Sequence, residues 1–133
     1  MPQTEVFFFE DDNGEVPVYA WLAELAATDA KAAACCIAKI RLLAALGHES
    51  RRPHADYLRD GVYELRAKRG RVNYRVLYFF HGRNAALLAY GLTKEKEVPD
   101  ADIDRAISRK KQYEQDPEKH KAEFNLPENP EDL

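Results

Sequence analysis

A chain of 133 residues and 15.2 kDa has the length for one modest core, not two. With 45% hydrophobic and 32% charged residues it has neither a disordered nor a membrane-protein composition, and no apolar run approaches the roughly 18 residues of a spanning helix. The formal charge of −3 hides a segregation: residues 51–96 carry eleven Lys/Arg against four Asp/Glu, whereas residues 114–133 carry seven Asp/Glu against two Lys. A near-neutral total therefore does not exclude a polyanion partner, but confines it to the middle of the chain.

Val6–Phe9 is a short run of strand formers closed by the turn-like Glu10–Gly14. The acidic N-terminus around this run does not have the form of a secretory signal. Pro17, then Trp21, Leu22 and Leu25 at helical spacing, predict a first helix over 17–27. Thr28 or Asp29 can cap a second, running to about Leu46 and ended by Gly47. Cys35 and Cys36 are adjacent in that helix, so they form neither a disulfide framework nor a zinc site, and a reducing cytoplasm is the expected compartment.

The polar stretch His48–Asp60 reads as a long loop. Three strand-like runs follow, Val62–Lys68, Val72–Phe80 and Ala85–Leu92, joined by hairpin turns at Arg69–Gly70 and His81–Asn84. Pro99 starts a final helix with Ile103, Ala106/Ile107, Lys110 and Tyr113 at 3–4 spacing. The order β-α-α-β-β-β-α predicts an α+β domain over 1–115, with two N-terminal helices packed on a small, curved, mainly antiparallel sheet. Residues 116–133 form an acidic, proline-containing tail expected to be extended or disordered. That tail either lies over the basic middle as an internal phosphate mimic or serves as a solubilising or partner-contacting extension.

With Arg69–Gly70 as the turn, Glu64 faces Arg75 and Arg66 faces Asn73, on the strand face opposite Leu65, Ala67, Val72 and Tyr74. Two arginines on rigid strands offer fixed forks of donors suited to a phosphodiester. The alternative is that Arg75 merely pairs with Glu64 and Arg66 is a solvated strand residue. The fitting chemistry is metal-independent RNA cleavage: a base takes the ribose 2′ proton, the oxygen attacks the adjacent phosphate, and cations stabilise the added charge. His48, His54, His81 and His120 have no companions at metal-ligand spacing, and no glycine-rich phosphate loop is present, so neither metal nor cofactor is expected.

The segments Gly61-Val-Tyr-Glu-Leu-Arg66 and Tyr74-Arg-Val-Leu-Tyr-Phe-Phe80 carry a likeness to a known family. Leu87–Leu88, Gly91, Lys94, the proline-started helix and Arg109 continue it. Over roughly residues 4–115 the chain resembles the RelE/ParE toxin superfamily, most closely its phage-derived HigB-type branch. The resemblance implies a RelE-like fold and a ribosome-dependent mRNA endonuclease, the toxin of a type II toxin–antitoxin system. It also implies ribosome and mRNA as partners, a small helix-turn-helix antitoxin and no membrane. It assigns Arg75 to the phosphate, with Arg66 assisting and Lys94 in the basic segment after the last strand. Glu95 stands where relatives commonly carry a second lysine.

The candidate catalytic set is therefore Arg75, Arg66, Lys94, Glu64 and His54, the last two as alternative bases. Glu64 qualifies only if Arg75 does not occupy it. The candidate nucleic-acid contacts are Arg66, Lys68, Arg69, Arg71, Asn73, Lys94 and Lys96. Two other functions remain on the same fold: a ParE-like inhibitor of DNA gyrase, and a catalytically inactive protein-binding module.

Overall fold

The computed structural model describes residues 4–49, 55–93, 97–123, 126–127 and 129–133. Among the described residues six strands and three α-helices follow one another as β1 (Glu5–Phe9), α1 (Pro17–Thr28), α2 (Ala30–Leu46), β2 (Ala55–Arg59), β3 (Val62–Arg69), β4 (Val72–His81), β5 (Ala85–Thr93), α3 (Asp100–Gln115) and β6 (Lys121–Glu123). The sheet order is β2-β3-β4-β5-β1-β6. β1 runs parallel to β5 and the other neighbours are antiparallel, so the sheet is mixed.

The expected α+β class and the two N-terminal helices over the sheet are present. Two strands extend the expected sheet. Ala55–Arg59, expected as loop, is the edge strand β2, and Lys121–Glu123 in the tail pairs with β1 as β6. The sheet is not strongly curled. It carries helices on both faces, which makes three layers rather than two.

Each layer follows from local pattern. β1 is interior, which is why Phe7, Phe8 and Phe9 run together without a polar break. Val6 and Phe8 join the core beneath α1 and α2, with Val18, Leu22, Ile40, Leu65, Val76 and Tyr78. Phe9 points to the other face and joins Val62, Leu77, Phe79, Leu87, Ala106 and Tyr113 beneath α3. Asp29 caps α2, its Oδ1 accepting the Ala32 amide at 3.1 Å. Asp100 and Asp102 stand in the first turn of α3, where the helix dipole favours carboxylates. Among the described residues no helix is long and apolar enough to cross a membrane.

Candidate functional site

The β3–β4 hairpin positions the site, and its turn is displaced by one residue from the expected one. Arg69 pairs with Val72, so the turn is Gly70–Arg71. Gly70 has φ 63° while Arg71 keeps a negative φ, the pattern of a type II′ turn with glycine first. The register accordingly slides by two residues. Arg66 lies directly opposite Arg75, not opposite Asn73, and Glu64 is opposite Leu77, not Arg75. A two-residue slide keeps every side chain on its expected face, because strand periodicity is two.

Glu64 nevertheless reaches both arginines. Arg75 Nη1 donates to Glu64 Oε1 at 3.0 Å and Oε2 at 2.7 Å, and Arg66 Nη2 donates to Oε1 at 2.6 Å. Glu64 is 2% exposed and Arg75 is 7% exposed, whereas the Arg66 side chain keeps 35%. Arg75 is thus a buried post and Arg66 the more accessible arm. Arg66 Nε is buried with no hydrogen-bond partner among the described residues. Arg75 does occupy Glu64, and this carboxylate holds both guanidiniums.

This cluster lines a cleft of about 490 Å³ between the sheet and the start of α3. Leu58, Val98 and Ile103 supply its apolar lining, and Asp56, Glu97 and Asp100 add carboxylates. Asp56 reaches the cleft because it sits opposite Glu64 in the β2–β3 ladder. Reading Ala55–Arg59 as a strand would have brought it into view; a loop assignment hid it. Arg59 Nη2 meets Asp104 Oδ1 at 2.5 Å and ties β2 to α3.

The remaining candidates fall apart spatially. Lys68 and Asn73 are paired at the hairpin tip on the Arg66 face, and Arg71 is exposed in the turn. Arg69 turns to the opposite face, where its Nε meets Asp29 Oδ2 at 3.3 Å. Tyr74 is in the core. His54, Lys94 and Lys96 lie outside the described residues. Among the described residues no group of His, Cys, Asp and Glu is arranged to hold a metal ion.

A second polar cluster, on the other flank of α3, was not visible in the sequence. The register of β4 and β5 shifts between Leu77 and Tyr78, leaving Ala89 as an extra residue between Leu88 and Tyr90. Arg109 Nη1 donates to the Ala89 carbonyl at 2.5 Å, and its guanidinium lies 5.3 Å from the Tyr90 ring and 5.9 Å from Phe9. Burial lowers the pKa of Arg109 and raises that of the Tyr90 hydroxyl, with the neighbouring Asp102 adding to the latter. Arg109 is therefore a docking residue that satisfies a bulge carbonyl, away from the cleft.

The fold and cleft define a three-layer α+β protein with an Arg–Glu–Arg cluster, buried at Glu64 and Arg75 and open at Arg66, beside the start of its third helix. The sequence model of the family described as Phage derived protein Gp49-like (DUF891) matches residues 23–111, more than half of the chain, and the chain belongs to that family. The match takes in both arginines and Glu64. No curated protein matches the chain.

Proposed function

We propose that this protein is a metal-independent endoribonuclease of the RelE/ParE toxin type, nearest the phage-derived HigB branch. Its fold would then be RelE-like, its substrate ribosome-bound mRNA in the cytoplasm, and its neutralising partner a helix-turn-helix antitoxin. The observation that carries the reading is the direct opposition of Arg66 and Arg75 on adjacent strands inside a cleft. Membership of a phage-derived family agrees with it. In the proposed reaction water or another base takes the ribose 2′ proton, the 2′ oxygen attacks the adjacent phosphate to form a 2′,3′-cyclic phosphate, and the 5′ oxygen leaves as a hydroxyl with a proton from water. The two guanidiniums stabilise charge on the nonbridging oxygens, and Lys68, with Lys94 and Lys96, holds the strand by its phosphates. Glu64 fixes both arginines in advance, so no reorganisation is needed when charge develops.

The same Glu64 favours a second reading, since it offsets the arginine charge in the absence of substrate: a catalytically inactive binding module. Primer extension on a reporter message after brief induction separates the two. Arg66→Gln is the informative variant, because the Arg75–Glu64 pair survives it. Cuts inside the translated region with wild type, absent with Arg66→Gln and absent when translation is blocked, are expected. Arrested growth with intact message would point to a gyrase inhibitor. Intact message and normal growth with folded protein would point to the binding module.

A further inference from the structure

The family match spans residues 23–111, so the segment from Lys121 onward lies outside it. That segment covers two surfaces. β6 adds three residues, Lys121–Glu123, to the outer edge of β1, where the run Phe7–Phe9 would otherwise present unpaired backbone groups. Among the described residues beyond it, Leu126 packs half-buried on the core, and the turn Pro130–Asp132 rests against both α1 and α2. Leu133 borders a groove of about 450 Å³ lined by Ala23, Ala26, Ala27, Thr28 and Ala30, where α1 gives way to α2. The open volume beside this leucine leaves room for a bulkier apolar side chain. Charge is matched across the contact. α2 carries Lys31, Lys39 and Arg41 without a carboxylate and α1 adds only Glu24, whereas residues 121–133 carry Glu123, Glu128, Glu131 and Asp132 against Lys121. A segment held by a three-residue ladder and half-buried leucines is weakly seated and open to exchange.

We propose that the outer edge of β1 and the α1–α2 groove form one docking track for an acidic, extended segment of a partner protein with a large apolar anchor, and that this chain's own tail holds the track as an exchangeable occupant. The partner segment replaces both contacts of the tail: it pairs with β1 as a strand and sets its anchor among the alanines. Strand pairing is indifferent to sequence, so the anchor and the acidic charges supply the selection. A second copy's tail would underfill the groove just as this one does, which favours a partner with a larger side chain. The tail sets a threshold, because the partner competes with a tethered segment at an effective concentration on the order of millimolar. The groove and the Arg66–Arg75 cleft share no lining residue, so the track stands whatever that cleft binds.

The test is fluorescence anisotropy of a labelled peptide of residues 117–133 with full-length protein. In the protein, Leu126→Asp/Leu133→Asp frees the track without shortening the chain. The peptide is expected to bind this variant on the order of tenfold tighter than wild type, whose own tail competes. A peptide carrying Leu133→Phe should bind roughly threefold tighter again, and raised salt should weaken both peptides. Ala27→Glu, at an exposed helix position lining the groove, should remove peptide binding by the leucine variant. Should the double variant fail to fold, Leu133→Asp alone is read, with a smaller gain in the same direction. No binding to the folded variant, or binding that Ala27→Glu leaves unchanged, overturns the track. A Leu133→Phe peptide that binds no tighter overturns the assignment to a partner. A wild-type dimer lost in the leucine variant, seen by sedimentation velocity, does the same and assigns the track to tails exchanged between copies.

Discussion

Glu64 is the residue on which the cleft depends, because its carboxylate has exchanged water for two guanidiniums. Three charge-assisted hydrogen bonds offset the desolvation of a side chain 2% exposed. Removing one partner leaves buried charge uncompensated, so Glu64→Gln is expected to lose about 3–5 kcal/mol in urea unfolding. Replacing the pair together, as Glu64→Gln/Arg75→Met, should recover part of that loss. Arg75→Ala carries the same penalty as Glu64→Gln, which is why activity is better tested at Arg66. Cys36 makes a second prediction. Burial pushes its thiol up to about 12 from an unfolded value of 9.0. The folded state therefore holds this proton where the unfolded chain releases it, and stability should fall as pH climbs from about 9 towards 12. Iodoacetamide at pH 8.5 should label Cys36 only after denaturation, which mass spectrometry of tryptic peptides would show.

Elements are joined here by irregularities that periodicity does not announce. The extra residue Ala89 re-aims the end of β5, so that Tyr90 and Leu92 face α3 while Gly91 faces α1. Trp21 fills the space over Gly91, and a Cβ there would stand 2.4 Å from the ring. Gly91→Ala is accordingly expected to cost about 1–3 kcal/mol by overpacking, with a smaller cost when combined with Trp21→Phe. Thermal unfolding of the four proteins checks this. Asp29 caps α2 and receives Arg69 from the hairpin, so one side chain serves a helix and a strand. Asp29→Ala should cost about 1 kcal/mol, most of it the lost cap, as the ion pair is solvent-exposed. The hairpin register shows what a turn signal can and cannot convey. Arg69–Gly70 and Gly70–Arg71 both contain the glycine that a tight turn needs, both accept its positive φ, and the Arg69–Val72 pairing of the ladder selects the second. Faces survived the choice; the identity of the residue opposite each arginine did not.

At the scale of the whole molecule the described part of the acidic tail packs away from the arginine cluster. β6 sits at the sheet edge opposite β2, and the described residues after it return across α1 and α2, where Leu126 and Leu133 pack on the core. Among the described residues, none of the tail lines the Arg66–Arg75 cleft. Its half-buried leucines contribute about 2 kcal/mol, so a chain ending at Asp116 should melt roughly 5–10 °C lower, as calorimetry would read. On the proposed reading of the cleft as an RNA site, RNA binding should change little by comparison, since no described tail residue lines it.

The sequence by itself determined the three helices, the three central strands and the face on which Arg66, Arg75 and Glu64 stand. Helical spacing, strand alternation and capping residues such as Asp29 are local, and they carry that information whatever packs around them. Three things were decided only by tertiary structure. β2 and β6 became strands because β3 and β1 offered them unpaired edges, not because Ala-Asp-Tyr-Leu-Arg or Lys-Ala-Glu favours extension. Arg66 and Arg75 came together through the hydrogen-bond register. Asp56, Glu97 and Asp100 joined them because β2 and the start of α3, 41 or more residues apart in sequence for Asp56, border one cleft. Charge at a site is a sum over neighbours in space, and neighbours of that separation are chosen by the fold.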